Sequence, residues 1–530
     1  MKIHIVHHTH SPFVQAVQVF GPSGFQEMLD AGMQLTLYSF FWATPQEGTT
    51  FTQYEWVSSP HLNDFIGGPI ARIAPQDSYT FYTEIMRRCV LWNCIGFEHD
   101  FLDFAYLAMP DSAVQPGVYE GFMEGLSQAA VDYGVPVQLC MPLPSDVLLS
   151  TLLPAVSNIR ASDDNDYTYA GPNRWRIGLT SMLHGAVNIR PFFDGTWTHS
   201  AYGNTHDVPY PANYVQNSTE LDLAISTLSS GPVGLGDMAG YTNITLTMCS
   251  CSANGVLLKP SLPAAPLDLY FMPDPQQQYT LQGSGTELWQ APSFVQIVSY
   301  DTHDDRLRYK HDSAGLDRYL SKSHLAPSND TFPSFTPCPF MSLLAIDAVG
   351  ATVFPGDFTP SLSVTVGASA CAASGLATGY VALPWSRGLD QLNSSCAEGS
   401  PASQCVVSVT DEAGINITTG INEDTQYAKG SQHPFDILSL SPVLNNGYAL
   451  LGELFKFVRV SPVRFSSVST TPLPSLQVTV LGSSGESVDV LVLVPGGIVR
   501  RISVQFGEGA QAAALQCEGT GNQAQCSVLF

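Results

Sequence analysis

Cys94-Ile95-Gly96-Phe97-Glu98-His99-Asp100-Phe101-Leu102-Asp103-Phe104 opens as an apolar run of strand length and closes on four ionisable side chains within six positions. Polar residues placed just after a buried strand mark the mouth of a parallel barrel, where side chains from the C-terminal strand ends converge. Strand ends also carry solvated acids. Here Phe97, Phe101 and Phe104 flank the acids and would desolvate them, which costs stability unless the carboxylate has a task. Outward from this run the same unit repeats. Short apolar runs at 34–41, 136–141, 156–160, 186–193 and 232–236 alternate with amphipathic stretches such as Val118–Tyr133, whose Phe122, Leu126, Ala129 and Ala130 fall at helical spacing. Six such runs predict a (β/α)8-type TIM barrel over residues 1–267.

Beyond residue 267 the style changes. Runs at 295–299, 362–366, 379–384, 405–409, 476–481, 488–494 and 499–506 are short, β-rich and separated by Gly, Pro and Ser turns, which predicts a β-sandwich over 268–530. The polar stretch 309–337 reads as an irregular excursion between strands. The fold class expected is therefore α/β plus all-β.

With 21 Lys and Arg against 46 Asp and Glu, the net charge is −25. That repels phosphate backbones and anionic bilayers, so neither nucleic acid nor membrane is an expected partner. A neutral sugar meets no such penalty, although acidity is also a solubility device. The most apolar run, 488–499, is broken by Asp489, Pro495 and two glycines and falls short of the ~20 residues of a membrane span. Sequons at Asn217, Asn243, Asn329, Asn393 and Asn416 suit a secreted or lumenal glycoprotein, whether extracellular, vacuolar or lysosomal. Cys396 with Cys405, and Cys517 with Cys526, are spaced for hairpin disulfides. Cys249-Ser250-Cys251 lacks a second Cys/His pair at ligand spacing and reads as buried thiols; His7, His8 and His10 lack an acidic partner nearby. No metal or cofactor is expected.

A second acid cluster follows the 156–160 run, in Arg160-Ala161-Ser162-Asp163-Asp164-Asn165-Asp166. Alone it would read equally well as a helix N-cap. Two acid clusters two strands apart on one barrel mouth are what glycosidic cleavage requires: one carboxylate to attack the anomeric carbon and one protonated acid to release the leaving oxygen.

The segment from Gln138-Leu139-Cys140-Met141 through Arg160-Ala161-Ser162-Asp163-Asp164, then Pro191-Phe192-Phe193-Asp194 and Gly231-Pro232-Val233-Gly234-Leu235-Gly236-Asp237, resembles the second barrel half of raffinose synthases and alkaline α-galactosidases. These belong to glycoside hydrolase family 36, in the α-galactosidase clan. Leu257-Leu258-Lys259-Pro260 and Pro266-Leu267-Asp268 resemble that family's segment after the barrel, so the likeness covers about residues 90 to 270. The resemblance implies a nucleophile in the Lys-x-Asp position, here Glu98-His99-Asp100, and an acid/base at Ser162-Asp163, with Asp164 as the adjacent alternative. It implies retaining double displacement on an α-galactoside-like oligosaccharide or glycoside. The negative charges of Asp164 and Asp166 would keep Asp163 protonated. Two departures leave the substrate open: Glu98 replaces the lysine, and Phe192-Phe193 stands where the plant enzymes carry Asp-Trp.

Around the pair, Trp42, Tyr54, Glu55 and Trp56 offer a stacking face, with core packing as the competing reading for the aromatics. Glu98, Arg160 and Asp194 are strand-end candidates for sugar hydroxyls, and Asp103 is read as orienting its neighbours. Two rival functions use the same mouth: a transglycosidase of raffinose-synthase type and a non-catalytic carbohydrate-binding protein. Counting back from Asp100 makes 34–41 the third strand and 2–8 at best the second. No residues remain for a first strand, for the clan's N-terminal β-domain or for its Asp-rich turn after the second strand. A chain that begins late, with a barrel incomplete at its N-terminus, reconciles this count with the sequons and with a start that lacks a signal peptide's apolar run; poor turnover by the 530-residue polypeptide is the corresponding expectation.

Overall fold

The computed structural model describes residues 2–4, 26–32, 34–40, 42–43, 52–63, 68–107, 109, 111–112, 114–162, 176–198, 219–237, 240–267, 287–293, 338–346, 348, 351–358, 362, 377–385, 401–410, 414–419, 435–469, 475–519 and 523–530. The chain divides into two compact units, the first made of Met1–Ala161, Leu183–Pro191 and Val298–Ser328, the second of Ser162–Met182, Phe192–Ile297 and Asn329–Phe530.

In the first unit the strands are β1 (Lys2–His4), β2 (Leu35–Phe40), β3 (Trp42–Ala43), β4 (Trp56–Asn63), β5 (Gly68–Ile73), β6 (Cys94–Asp100), β7 (Val137–Leu139), β8 (Val156–Arg160) and β9 (Arg190–Phe192), the last running on into the second unit. One sheet takes the order β1-β2-β6-β7-β8-β9, with parallel pairing from β1 through β8. Neighbours in this sheet are successive in the chain apart from one insertion, the antiparallel sheet β3-β5-β4 between β2 and the next helix. The architecture is thus mixed α/β around a parallel sheet. No pairing joins β1 to β9 among the described residues, so barrel closure is not shown.

Helices α1 (Pro75–Leu91), α2 (Leu102–Leu107), α3 (Val118–Tyr133) and α4 (Pro144–Leu149) follow the strands. Pro75 starts α1, where its missing N–H costs nothing, and Gly134 at φ 66° closes α3 in the left-handed cap that glycine favours. Gly125 allows α1 and α3 to meet, since a Cβ there would lie 2.6 Å from the Cβ of Ser78. Leu35, Leu37, Phe97, Val137, Leu139 and Ile159 pack into one cluster with Tyr82, Met86, Phe122 and Leu126 of these helices. Because side chains alternate along a strand, the opposite sheet face carries Tyr38, Glu98, Asp100, Gln138, Cys140, Asn158 and Arg160.

His99 lies on the helix side, fully buried, with its Nε2 2.6 Å from the Tyr82 hydroxyl. Burial pushes its imidazole down to about 4, so the ring is neutral at pH 7. Asp146 in the first turn of α4 accepts the Tyr119 hydroxyl (2.5 Å) and the Leu143 N–H (2.6 Å), and burial pushes its carboxyl up to about 6. These two groups have opposite linkage. The depressed base contributes stability that is present above about pH 6.5 and lost as pH falls toward 4, whereas the raised acid contributes stability that is present below about pH 4 and lost as pH rises through 6. A shift of about two units corresponds to about 3 kcal/mol, so the slopes largely offset each other between pH 4 and 6. Removing the acid should expose the base. Urea titrations of Asp146→Asn between pH 6.5 and 4 are expected to show an acid-side loss about 3 kcal/mol larger than the parent's; parallel pH profiles would contradict this account of Asp146.

The second unit contains β10 (Ala265–Pro266), β11 (Glu287–Ser293), β12 (Phe340–Ile346), β13 (Ala351–Val353), β14 (Ala377–Pro384), β15 (Val407–Val409), β16 (Ile415–Ile417), β17 (Phe435–Leu444), β18 (Ala449–Glu453), β19 (Phe465–Ser469), β20 (Leu476–Leu481), β21 (Ser487–Val494), β22 (Ile498–Gln505), β23 (Ala512–Glu518) and β24 (Gln525–Leu529). They form sheets β10-β11-β12-β17-β14-β15, β13-β16, β18-β21-β22 and β19-β20-β23-β24. Cys517 and Cys526 face each other across β23 and β24 and are disulfide-bonded. Cys338 and Cys405 each take part in a disulfide, while Cys396 lies outside the described residues, as do the run expected at 295–299, all but Leu362 of the run expected at 362–366, and the excursion at 309–337.

Two strand expectations differ from the structure. The 186–193 run divides: helix α5 (Arg176–Ala186) extends to Ala186, Asn188 turns the chain at φ 57°, and only Arg190–Phe192 is strand. The 232–236 run contributes a single parallel bridge, Leu235 to Thr196.

Candidate active site

The alternation of β6 decides which acids share a face. Glu98 and Asp100 project from the side away from the helices, and His99 between them projects into the helix cluster, where Phe97 and Phe122 meet its ring edge-on at 6.0 and 5.8 Å. Parallel register places Tyr38 of β2 beside Glu98, and Gln138 of β7 on its other side.

Asp100 ends the strand and is 7% exposed. The Tyr38 hydroxyl donates to its Oδ2, and the Phe101 N–H donates to its Oδ1 at 2.7 Å. The Cys140 thiol lies just past β7, close enough for the Asp100 charge to act on it. Burial first, and the Asp100 charge second, push the ionisation of Tyr38 far up, and burial likewise pushes the Cys140 thiol up. Both therefore stay protonated, and Tyr38 remains a donor to the carboxylate.

Two adjacent strand ends are strained. Phe101 after β6 has φ 60° and Met141 after β7 has φ 47°, a left-handed conformation that costs a side-chain-bearing residue roughly 1 kcal/mol or more. The Asp103 N–H donates to the Met141 carbonyl at 2.9 Å and ties the two turns together. Strain of this kind collects where side chains are held for a task. Asp103 is half-buried beside this turn: burial raises its carboxyl above the ordinary range, the Asp100 charge adds to the rise, and the Arg160 guanidinium works against it. Arg160 ends β8, buried, and its charge also reaches Cys140.

The first unit thus gathers Glu98, Asp100, Asp103 and Arg160 with Tyr38 and Cys140. Asp163 and Asp164 lie outside the described residues, as do His7, His8 and His10. In the second unit, Asp194 follows β9 and its N–H donates to the Ser162 hydroxyl at 3.0 Å, so the turns after β8 and β9 are joined. Trp42 pairs with Arg72 through its backbone in β3, and its side chain is outside the described residues. Trp56 in β4 is half-buried and packs edge-on against Phe81 of α1 at 5.7 Å, as Tyr54 does at 5.5 Å. Glu55 is exposed and accepts a hydrogen bond from Gln76 at 2.7 Å. Asp237, which ends the glycine-rich 231–237 motif, accepts the Thr198 N–H at 2.8 Å and its hydroxyl at 2.7 Å. Cys249 and Cys251 are buried free thiols.

No family model and no curated protein matches the chain. Among solved structures it is similar to an α-galactosidase from Thermus thermophilus in complex with stachyose. The sequences are 16% identical, the TM-score is 0.30, and the likeness covers 42% of this chain and 51% of that one, about half its length. At that score the likeness carries no argument about fold or activity.

Tyr38 and Cys140 do not figure among the sequence-derived candidates. Their signal is parity alone. Tyr38 within β2 and Cys140 one residue past β7 are in phase with Glu98 and Gln138 rather than with the apolar residues that face the helices.

Proposed function

We propose that this chain is a glycoside hydrolase that cleaves O-glycosidic bonds with retention. In this reading the parallel sheet belongs to a (β/α)8 barrel over 1–267, followed by a β-sandwich over 268–530. The observation that carries it is Asp100: a buried carboxylate at a strained strand end, with the Tyr38 hydroxyl donating to one oxygen and the Phe101 N–H to the other. Asp100 attacks the anomeric carbon as the bond to the leaving oxygen breaks, and Asp163 gives that oxygen its proton. Asp163 then takes a proton from water, whose oxygen displaces Asp100 from the sugar. Asp164 is the adjacent alternative for this role. Retention needs the two carboxyl groups ~5–5.5 Å apart. Glu98, Arg160 and Asp194, with Trp42 and Trp56, are assigned to the sugar's hydroxyls and faces, and the α-galactoside-like substrate rests on the sequence resemblance. The compartment in this reading is secreted or lumenal, in keeping with the Cys517–Cys526 disulfide.

The test is turnover of α- and β-linked nitrophenyl glycosides with and without a sugar acceptor. Release of nitrophenol with transfer of the glycosyl unit to water is the expected result. Transfer mainly to the acceptor would indicate the transglycosidase, and sugar binding without release by either the parent or any carboxylate variant would overturn the enzymatic reading.

Tyr38→Phe keeps the ring and removes the donor on Asp100. A hydrogen bond to a charged group is worth about 1.5–3 kcal/mol, so kcat should fall roughly 10- to 100-fold with KM little changed. An unchanged kcat would show that Tyr38 does not position the carboxylate.

A further inference from the structure

We propose that Asn416 carries an N-linked glycan and that Asn243, the other sequon asparagine among the described residues, does not. The inference rests on the lumenal reading above and is independent of the catalytic one. Along Ile415-Asn416-Ile417-Thr418-Thr419 burial alternates strictly: Ile415, Ile417 and Thr419 are buried, Asn416 and Thr418 exposed. Ile415 and Ile417 join the same apolar cluster as Ala351 and Val353 of the partner strand β13. Asn416 sits opposite Thr352, which is also exposed. The Thr419 hydroxyl bonds to the Ala348 N–H at 2.7 Å and fixes the phase of the strand. In an extended chain residues two apart share a face, so the acceptor asparagine and the threonine of Asn416-Ile417-Thr418 both face solvent. A bulky polar substituent there displaces no packed side chain.

Asn243 is placed differently. It is half-buried as the N-cap of α6 (Ile244–Thr247), and its Oδ1 accepts the Leu246 N–H at 3.1 Å. Its own N–H donates to the Thr198 hydroxyl at 2.7 Å, and that hydroxyl is held by Asp237. Both its backbone and its side chain are engaged where the chain turns into a helix.

In the modifying step, the Asn416 carboxamide nitrogen bonds to C1 of a lipid-linked oligosaccharide diphosphate. The bond from C1 to the diphosphate oxygen breaks, and one amide proton passes to a base. The experiment is to produce the intact chain in a eukaryotic secretory host, remove glycans enzymatically in heavy-oxygen water and map the peptides by mass spectrometry. The 416 peptide should convert to labelled aspartate, the signal should vanish in both Asn416→Gln and Thr418→Ala, and the 243 peptide should stay unlabelled. Asn416→Gln, an exposed surface change, should leave the thermal midpoint nearly unmoved. A secreted protein with Cys517–Cys526 oxidised and an unmodified 416 peptide would overturn the proposal, and so would a labelled 243 peptide. A chain retained in the cytosol with that disulfide reduced would remove the lumenal reading and this proposal with it, leaving the catalytic reading untouched.

Discussion

Asp100→Asn is expected to lower kcat on the best nitrophenyl glycoside by on the order of 10³-fold or more, equivalent to about 4 kcal/mol of lost transition-state stabilisation. The substitution is nearly isosteric: an amide oxygen in place of Oδ1 keeps accepting the Phe101 N–H, and the amide N–H in place of Oδ2 can donate to the Tyr38 hydroxyl oxygen. The fold and the sugar contacts should therefore survive, and KM should change little. What is lost is the negative oxygen that forms the bond to C1, an interaction that exists only on the way to the intermediate. Steady-state kinetics together with circular dichroism separates this outcome from unfolding. A native-like variant that retains more than about a tenth of parental kcat would exclude Asp100 as nucleophile.

Arg464→Met is expected to destabilise the second unit by about 3–5 kcal/mol. Arg464 is almost wholly buried between two acids: its Nε donates to Glu453 Oε2 at 2.6 Å and its Nη2 to Glu486 Oε1 at 2.6 Å. Its Nη1 also donates to the Leu481 carbonyl. Burial works to raise the Glu486 carboxyl, but the Arg464 hydrogen bond and the Ala253 amide prevail and pull it down to about 2. Methionine fills similar volume, yet it leaves two buried carboxylates facing each other, with Lys456, 3.5 Å from Glu453, as the remaining cation paired to them among the described residues. The Ala253 N–H bonds to Glu486 at 3.0 Å and Lys456 donates to the Met248 and Cys251 carbonyls at 2.7 Å each, so the 248–253 segment should loosen with the network. Denaturant titration measures the loss, and adding Glu486→Gln should recover part of it by removing one orphaned charge. A loss below about 1 kcal/mol would mean that the network is solvated rather than buried.

The parts of the fold that were legible in the sequence are those where apolar period and length agree. Cys94–Asp100, Val156–Arg160 and Leu476–Leu481 appear with the expected bounds, and Val118–Tyr133 is a helix with its glycine cap. The 186–193 run went astray because a short apolar stretch fits a helix end and a strand equally well; the left-handed Asn188 between them leaves no mark in the pattern. Phe435–Leu444 was missed because Pro442 and the polar Asp436, Ser439 and Ser441 break its alternation, and Ala512–Glu518 because alanine is a poor strand former. Tertiary context supplies what these segments lack, through pairing with β12 and β14 in one case and β20 in the other.

In the site, the acids were visible as a cluster, but their grouping was not. That His99 leaves the face shared by Glu98 and Asp100 follows from strand parity once β6 is known to be a strand. Arg72 had no signal at all: it is a lone cation inside Ala71-Arg72-Ile73-Ala74, buried by an ion pair to Asp111 at 2.8 Å and by stacking over Phe122 at 5.1 Å. Its partners are 39 and 50 residues away, beyond what local pattern can reach.

The most direct measurement is to trap the intermediate. An activated fluorosugar, whose glycosyl-enzyme breaks down slowly, is incubated with the protein, which is then digested and mapped by tandem mass spectrometry. One sugar per chain, ester-linked to residue 100 and absent from Asp100→Asn, is the predicted result; a sugar on another carboxylate, or full turnover by Asp100→Asn, would contradict it.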